Sequence, residues 1–210
     1  MAIVNDKQYL KQEQYQDSQN RTALRQARHT FQYEVIDAQA IPYADQTFDA
    51  VIANHMLYHV PNRPQALREI HRVLKPDGTF YATANSVRYF QEVYALIQEI
   101  NPRAELRLFQ TAFGFENGAA QVAESFNTVN SEAFDSALAI TDSAPLFAYI
   151  QSTRHATWIQ GQEPLFRQRV DREIQLHGAM PVTTSGGLIT AQNDITTNCT
   201  WGANHHRPRW

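Results

Sequence analysis

Asp37–Ala84, DAQAIPYADQTFDAVIANHMLYHVPNRPQALREIHRVLKPDGTFYATA, decides how the chain folds. Phe48–Ala53, FDAVIA, is a short apolar run with a β-branched centre, which suits a strand covered on both faces. A polar and aromatic cluster follows: Asn54, His55, Met56, Tyr58 and His59. Asn62–Pro64 then gives a helix start, with proline in the first turn where its missing N–H costs nothing. Ala66, Leu67, Ile70, Val73 and Leu74 recur at helical spacing, so one face of that helix is apolar. Lys75-Pro76-Asp77-Gly78 stops the helix and turns the chain. Thr79–Ala84, TFYATA, is the next strand. Strand, helix and strand of this length make one unit of a parallel α/β sheet. Ligands of such sheets sit beyond the carboxyl ends of the strands, which is where the cluster from Asn54 to His59 falls.

The same run resembles the second half of the S-adenosylmethionine-binding core of class I methyltransferases, in the methyltransferase type 11 group. The resemblance rests on Asp37-Ala38, Ile41-Pro42-Tyr43, Phe48-Asp49 and Arg72-Val73-Leu74-Lys75-Pro76-Asp77-Gly78. Each piece is weak alone; all of them in order at this spacing are specific. Asp77 stands where the family has glycine. The resemblance implies an α/β fold with a Rossmann-like methyltransferase sheet and helices on both faces. It implies S-adenosylmethionine as cofactor, with Asp37 and Ala38 by the adenine and Asn54 and Met56 on the cofactor side. Asp37 is equally suited to capping the loop at a strand end.

One part of that pattern is missing. The family core opens with strand, glycine-rich loop, helix and strand, and glycine is needed there for a tight turn and close backbone approach to the cofactor. No glycine precedes Gly78 in this chain. The two absent strand–helix units would take roughly 60 residues at about 30 each. The expected domain is therefore a truncated sheet over residues 31–192, after a polar helical segment over 1–30 and before a disordered tail over 193–210. A shortened sheet has an exposed edge, which a second copy of the chain or another partner would cover.

Composition narrows the function classes. A length of 210 residues fits one domain, or one and a small addition. The net charge of −3 argues against nucleic acid as an electrostatic partner. No apolar run approaches the roughly 18–20 residues of a membrane span. The N-terminus lacks the apolar core of a signal peptide. The single cysteine, Cys199, excludes an internal disulfide framework. A cytoplasmic location is the default expectation.

Outside the central run, residues 5–29 are strongly polar, and Tyr9 and Tyr15 are candidates to lid the site by resemblance or simply surface aromatics. Phe31–Ile36 alternates like a strand that would feed Asp37. Helices are expected over 86–100, 116–125, 142–152 and 163–177, with strands over 126–129 and 180–191. Gly186-Gly187 suggests a bulge or bend in the last strand. Phe109, Phe113 and Phe115 line an acceptor pocket or belong to the core.

The candidate catalytic residues are His55, Tyr58 and His59. A neutral imidazole or a phenol at the strand end can orient or deprotonate an acceptor hydroxyl or amine. The competing reading is a histidine that satisfies loop backbone groups. His55 and His59 lie four apart, but no third ligand has matching spacing, so no metal is expected. Methyl transfer asks for little acid–base chemistry, because the cofactor brings its own leaving group and the protein aligns the reactants. Two functions remain open: methyl transfer to an unidentified small-molecule acceptor, or a catalytically inactive methyltransferase-like interaction subunit or truncated product.

Overall fold

A computed structural model describes residues 34–106 and 112–193. The expected N-terminal helices, Phe109 and the tail beyond Asn193 lie outside them. Strand β1 (Phe48–Asn54) leads through a 3-10 turn (Leu57–His59) to helix α1 (Arg63–Val73) and strand β2 (Leu74–Asn85). Helices α2 (Gln91–Ile100) and α3 (Phe115–Val122) come next, then strands β3 (Thr128–Phe134) and β4 (Ala137–Ile140). Helix α4 (Ser143–Gln151), a 3-10 turn (Arg154–Trp158), helix α5 (Glu163–His177) and strands β5 (Met180–Thr183) and β6 (Gly186–Gln192) complete the order.

The main sheet runs β1-β2-β6-β3, with β1 and β2 parallel and β6 antiparallel to both its neighbours. Its period of two separates the faces. Ala53, Phe80, Ala82, Ala84, Ile189 and Ala191 point to one face and are buried with Ala66, Leu67 and Ile70 of α1 and Val122 of α3. The helices that pack on this sheet, α1 and α3, thus share one face. The opposite face carries Ile52, Tyr81, Thr190 and Phe134, by strand register. It is open among the described residues, with Ile52 71% and Phe134 52% exposed. A second core joins α2, α4, α5 and the β4–β5 pair around Val93, Ile97, Phe147, Ile150, Phe166 and Val182.

Several boundaries follow from single interactions. Asn62 caps α1, its side chain accepting from the Gln65 N–H at 3.2 Å. Asp142 caps α4 through the Ala144 N–H at 2.8 Å, as its sequence position predicts. Gly178 ends α5 in the left-handed region at φ +80°. The helix expected from residue 86 starts only at Gln91. The Glu116 carboxylate holds Ser86 Oγ at 2.5 Å and the Val87 N–H at 3.1 Å in a turn, and Phe90 is left-handed at φ +61°.

Three expectations are corrected. Glu34–Ile36, the described part of the strand expected over 31–36, belongs to no ladder, and Val35 is 78% exposed. The alternation supplied a face, but among the described residues no strand lies alongside to pair with it. The expected last strand, 180–191, is two strands in different sheets, because the chain leaves β5 at Thr183 and enters the main sheet only at Gly186. Gly187 marks no bulge: it pairs in register with Ala84, and a Cβ there would lie 2.2 Å from the Phe115 ring. Glycine is required by the close approach of that ring to the sheet.

The Lys75–Gly78 turn is a four-residue bulge inside β2, since Leu74 pairs with Phe48 but Thr79 pairs with Ala50. Asn193 secures it. Its side chain donates to the carbonyls of Leu74 at 2.9 Å and Lys75 at 3.1 Å, and its backbone bonds both Asp77 and Gly78. Asp77 sits at φ +62°, in the left-handed region where a side chain is strained. Asp77→Gly should therefore raise stability by about 0.5–1 kcal/mol in urea unfolding, the relieved strain exceeding the added chain entropy. A loss of stability would show that the Asp77 side chain stabilises the turn.

Candidate functional site

Parallel pairing puts the carboxyl ends of β1 and β2 at one edge of the sheet. Asn54 pairs with Thr83 there, and the Thr83 hydroxyl donates to the Asn54 side-chain carbonyl. The next residue, His55, has φ +48°, and its N–H donates to the Thr83 hydroxyl oxygen at 3.2 Å and the Thr83 carbonyl at 3.3 Å. A non-glycine residue held left-handed by its neighbours is a pattern that clusters at binding sites. Met56, Leu57 and Tyr58 fasten the loop to the core under the sheet. The Tyr58 and His59 rings lie 4.4 Å apart.

Asp37 reaches the same edge by another route. Both its carboxylate oxygens accept from the side-chain amide of Gln39, and Oδ1 also takes the Gln39 N–H at 2.9 Å. The side-chain Oε1 of Gln39 accepts the Asn62 N–H at 3.0 Å. Asn62 opens α1, directly after the strand-end loop, so the Asp37 turn docks beside that loop. Ala38 packs against the core and Asp37 stays exposed. The turn therefore both caps its own loop and presents a carboxylate at the strand ends.

Arg72 fixes this arrangement from below. Its guanidinium donates to the carbonyls of Ile41 at 2.9 Å and Tyr43 at 2.8 Å and pairs with Asp45 and Glu69 at 2.8 Å. Hydrogen bonding from Arg72 holds the Glu69 carboxyl below its ordinary range, and Glu69 also accepts the Ile41 N–H at 2.9 Å. The separate sequence motifs around Ile41 and Arg72 are thus the two halves of one clamp.

Beyond the loop lies a cluster that sequence reading missed. His155, 8% exposed, packs edge-on against Tyr94 at 5.2 Å. Phe90 contacts Tyr89 at 4.7 Å and Tyr149 at 5.5 Å. Arg154 acts electrostatically on His59, His155 and Tyr94, and Tyr58 on Tyr89. The segment Thr153–Trp158 has no helical or strand period, so its density of polar and aromatic residues was the one signal that could have found it. Phe113 and Phe115 take the other of their two readings: Phe113 is core and Phe115 covers Gly187.

Clefts lie elsewhere: one of about 270 Å³ between α2, α5 and β5 by Glu92 and Arg172, one of about 740 Å³ along α5 by Glu163 and Asp171, and one of about 270 Å³ on the open sheet face by Tyr81 and Asn130. None of these includes Asp37 or the residues from Asn54 to His59. The strand-end site rests on backbone geometry, the left-handed His55 and converging loops, which enclosed volume does not measure. Among the described residues no group of three histidine, cysteine or acidic side chains is placed to hold a metal, and no helix is long and apolar enough to cross a membrane.

Residues 9–82 match the family described as "Methyltransferase domain". That match covers less than half of the chain and agrees with the motifs that resemble the class I, type 11 methyltransferases. A demethylmenaquinone methyltransferase of Lactobacillus johnsonii is 55% identical over 42 residues, 20% of this chain and 17% of that protein. A ubiquinone/menaquinone biosynthesis C-methyltransferase of Desulfotalea psychrophila is 38% identical over 64 residues, 28% of this chain and 26% of that one. The match thus spans about a quarter or less of these relatives' length. A protein of Anabaena variabilis assigned to methyl transfer in an antibiotic biosynthesis pathway shares the fold, with a TM-score of 0.50 at 12% identity over 73% of this chain and 70% of its own. The fold is accordingly the Rossmann-like methyltransferase sheet.

Burial lowers the pKa of His55, His59 and His155 from the ordinary imidazole value of 6.5, with Arg154 adding to the effect at His59 and His155. The unfolded chain then binds more protons than the folded one below pH 6.5. Stability is full above that value and falls as pH drops through it toward the lowered values of the folded protein. The melting temperature should decrease between about pH 7.5 and about pH 5.5, with a shallower decrease in His155→Gln. A flat profile for the unaltered chain would contradict the lowered pKa of these histidines.

Proposed function

We propose that this chain acts in S-adenosylmethionine-dependent methyl transfer to a small-molecule acceptor. The observation that carries the reading is the convergence of the Asp37 turn and the Asn54–His59 loop at the carboxyl ends of β1 and β2. An exposed carboxylate at that edge suits the exocyclic amine of adenine, and the small Ala38 leaves room for a flat ring beside it. Asn54 and Met56 flank the cofactor side. When bound, the cofactor supplies an activated methyl group. The chain's residues do the rest. His55, Tyr58 and His59 face the acceptor, and a histidine kept neutral by burial can take a proton from an acceptor hydroxyl or amine. The described residues fit the adenine end of the cofactor; none of them supplies a glycine-rich turn for the methionine end, since the first glycine is Gly78.

That gap supports a second reading, an interaction subunit without catalysis. The outer edge of β1 pairs with no strand among the described residues, and Ile52 beside it is exposed. An unpaired apolar edge invites a second copy of the chain, or a full-length relative that brings its own glycine loop. Calorimetric titration with S-adenosylmethionine and S-adenosylhomocysteine separates the two. Methyl transfer predicts micromolar binding, about −8 kcal/mol. Asp37→Ala should weaken it by about tenfold, the worth of a charge-assisted hydrogen bond. No binding by a folded sample would leave the interaction reading.

A further inference from the structure

The cleft between α2, α5 and β5 lies apart from the strand-end site and has no part in either reading of it. Helical spacing builds its walls. Glu92, Leu96 and Glu99 share one face of α2, and Arg169, Arg172 and Glu173 share one face of α5. Leu96 and Met180 are buried, at 8% and 6% exposure, and give the cleft an apolar lining with Pro181. The charges around that lining fall into two groups. Glu92 is engaged, accepting the Thr183 N–H at 2.8 Å and the Thr183 hydroxyl at 2.5 Å, and Glu173 lies 3.7 Å from His177 Nε2. Arg169, Arg172 and Glu99 make no hydrogen bond or ion pair among the described residues. Elsewhere on α5 an arginine with a carboxylate in reach does pair, Arg167 meeting Glu163 at 3.5 Å. Two guanidinium groups and one carboxylate therefore line a single cleft without meeting.

We propose that this cleft binds a zwitterionic α-amino acid with an apolar side chain, its carboxylate on Arg169 and Arg172 and its ammonium on Glu99. A guanidinium presents a planar pair of donors that matches a carboxylate, and an ammonium brings the donors that a free glutamate accepts. The apolar side chain takes the lining of Leu96, Met180 and Pro181 out of water. The volume of about 270 Å³ lies just below the roughly 300 Å³ at which ligand pockets begin, so it suits a molecule of amino-acid size rather than a nucleotide. A simple anion would leave Glu99 repelling it, and a simple cation would leave both arginines doing so; a zwitterion satisfies both signs of charge.

The full chain is titrated with leucine, with leucinamide, which lacks the carboxylate, and with 4-methylpentanoate, which lacks the ammonium, following the methionine methyl resonances by NMR. Leucine should shift the Met180 methyl saturably, leave that of Met56 at the strand-end loop in place, and bind about tenfold or more tighter than either analogue. Arg169, Arg172 and Glu99 are exposed, so their substitution leaves the core intact. Replacing both arginines, Arg169→Gln with Arg172→Gln, should bring leucine down to the affinity of leucinamide without changing that of leucinamide. Glu99→Gln should bring leucine down to the affinity of 4-methylpentanoate. No saturable shift at Met180, equal binding of leucine and 4-methylpentanoate, or a preference for leucine that survives both sets of substitutions would overturn the assignment.

Discussion

Arg72 reaches out of α1 and binds four points at once: the carbonyls of Ile41 and Tyr43 and the carboxylates of Asp45 and Glu69. A lysine would reach one of these at a time; the planar fork of arginine meets several. Glu69, drawn to the same guanidinium, closes the loop by taking the Ile41 N–H. The consequence is geometric. Loop 41–45 is fixed on the helix that packs under the sheet, and the Asp37 turn just before it is held at the edge where β1 ends. Without this clamp, the ligand-facing turn and the ligand-facing loop would be parts of two separate surface segments. The exposed ion pairs contribute little by themselves; the carbonyl and N–H bonds set the position.

What the sequence revealed was whatever repeats or punctuates locally. The β1–α1–β2 unit was readable because Phe48–Ala53, the apolar stripe of α1 and Thr79–Ala84 each carry their own period. Helix α5 was readable to its ends, because Gly178 stops it. The failures share one cause, dependence on a distant partner. Phe31–Ile36 has the alternation of a strand, yet Glu34–Ile36 pairs with no strand among the described residues. The division of 180–191 between two sheets depends on β4 and β3, which lie more than 40 residues earlier in sequence by their own numbering. The late start of α2 depends on Glu116, from another helix. At the site, the strand-end residues were found because parallel sheets place ligands there by rule. The Arg154–His155 cluster was not, because its neighbours come from α2 and α4.

The sheet itself is lopsided. One face is closed by α1 and α3, packed so tightly that Gly187 must lack a side chain beneath Phe115. The other face is open among the described residues, and β1 has a free edge beside it. A Rossmann-like sheet is ordinarily covered on both sides. The sequence has no glycine before Gly78, and among the described residues no strand pairs with the outer edge of β1.

The claim that one clamp organises the site is tested most directly by amide hydrogen exchange on the unaltered chain and on Arg72→Gln. The Ile41, Gln46 and Thr47 amides bond to Glu69, Arg72 and Val73 of α1, whereas the β2–β6 ladder is independent of the clamp. Arg72→Gln should speed exchange at these three amides by about tenfold or more while the β2–β6 amides keep their protection. Unchanged exchange at Ile41, Gln46 and Thr47 would mean that the loop is held by something other than Arg72.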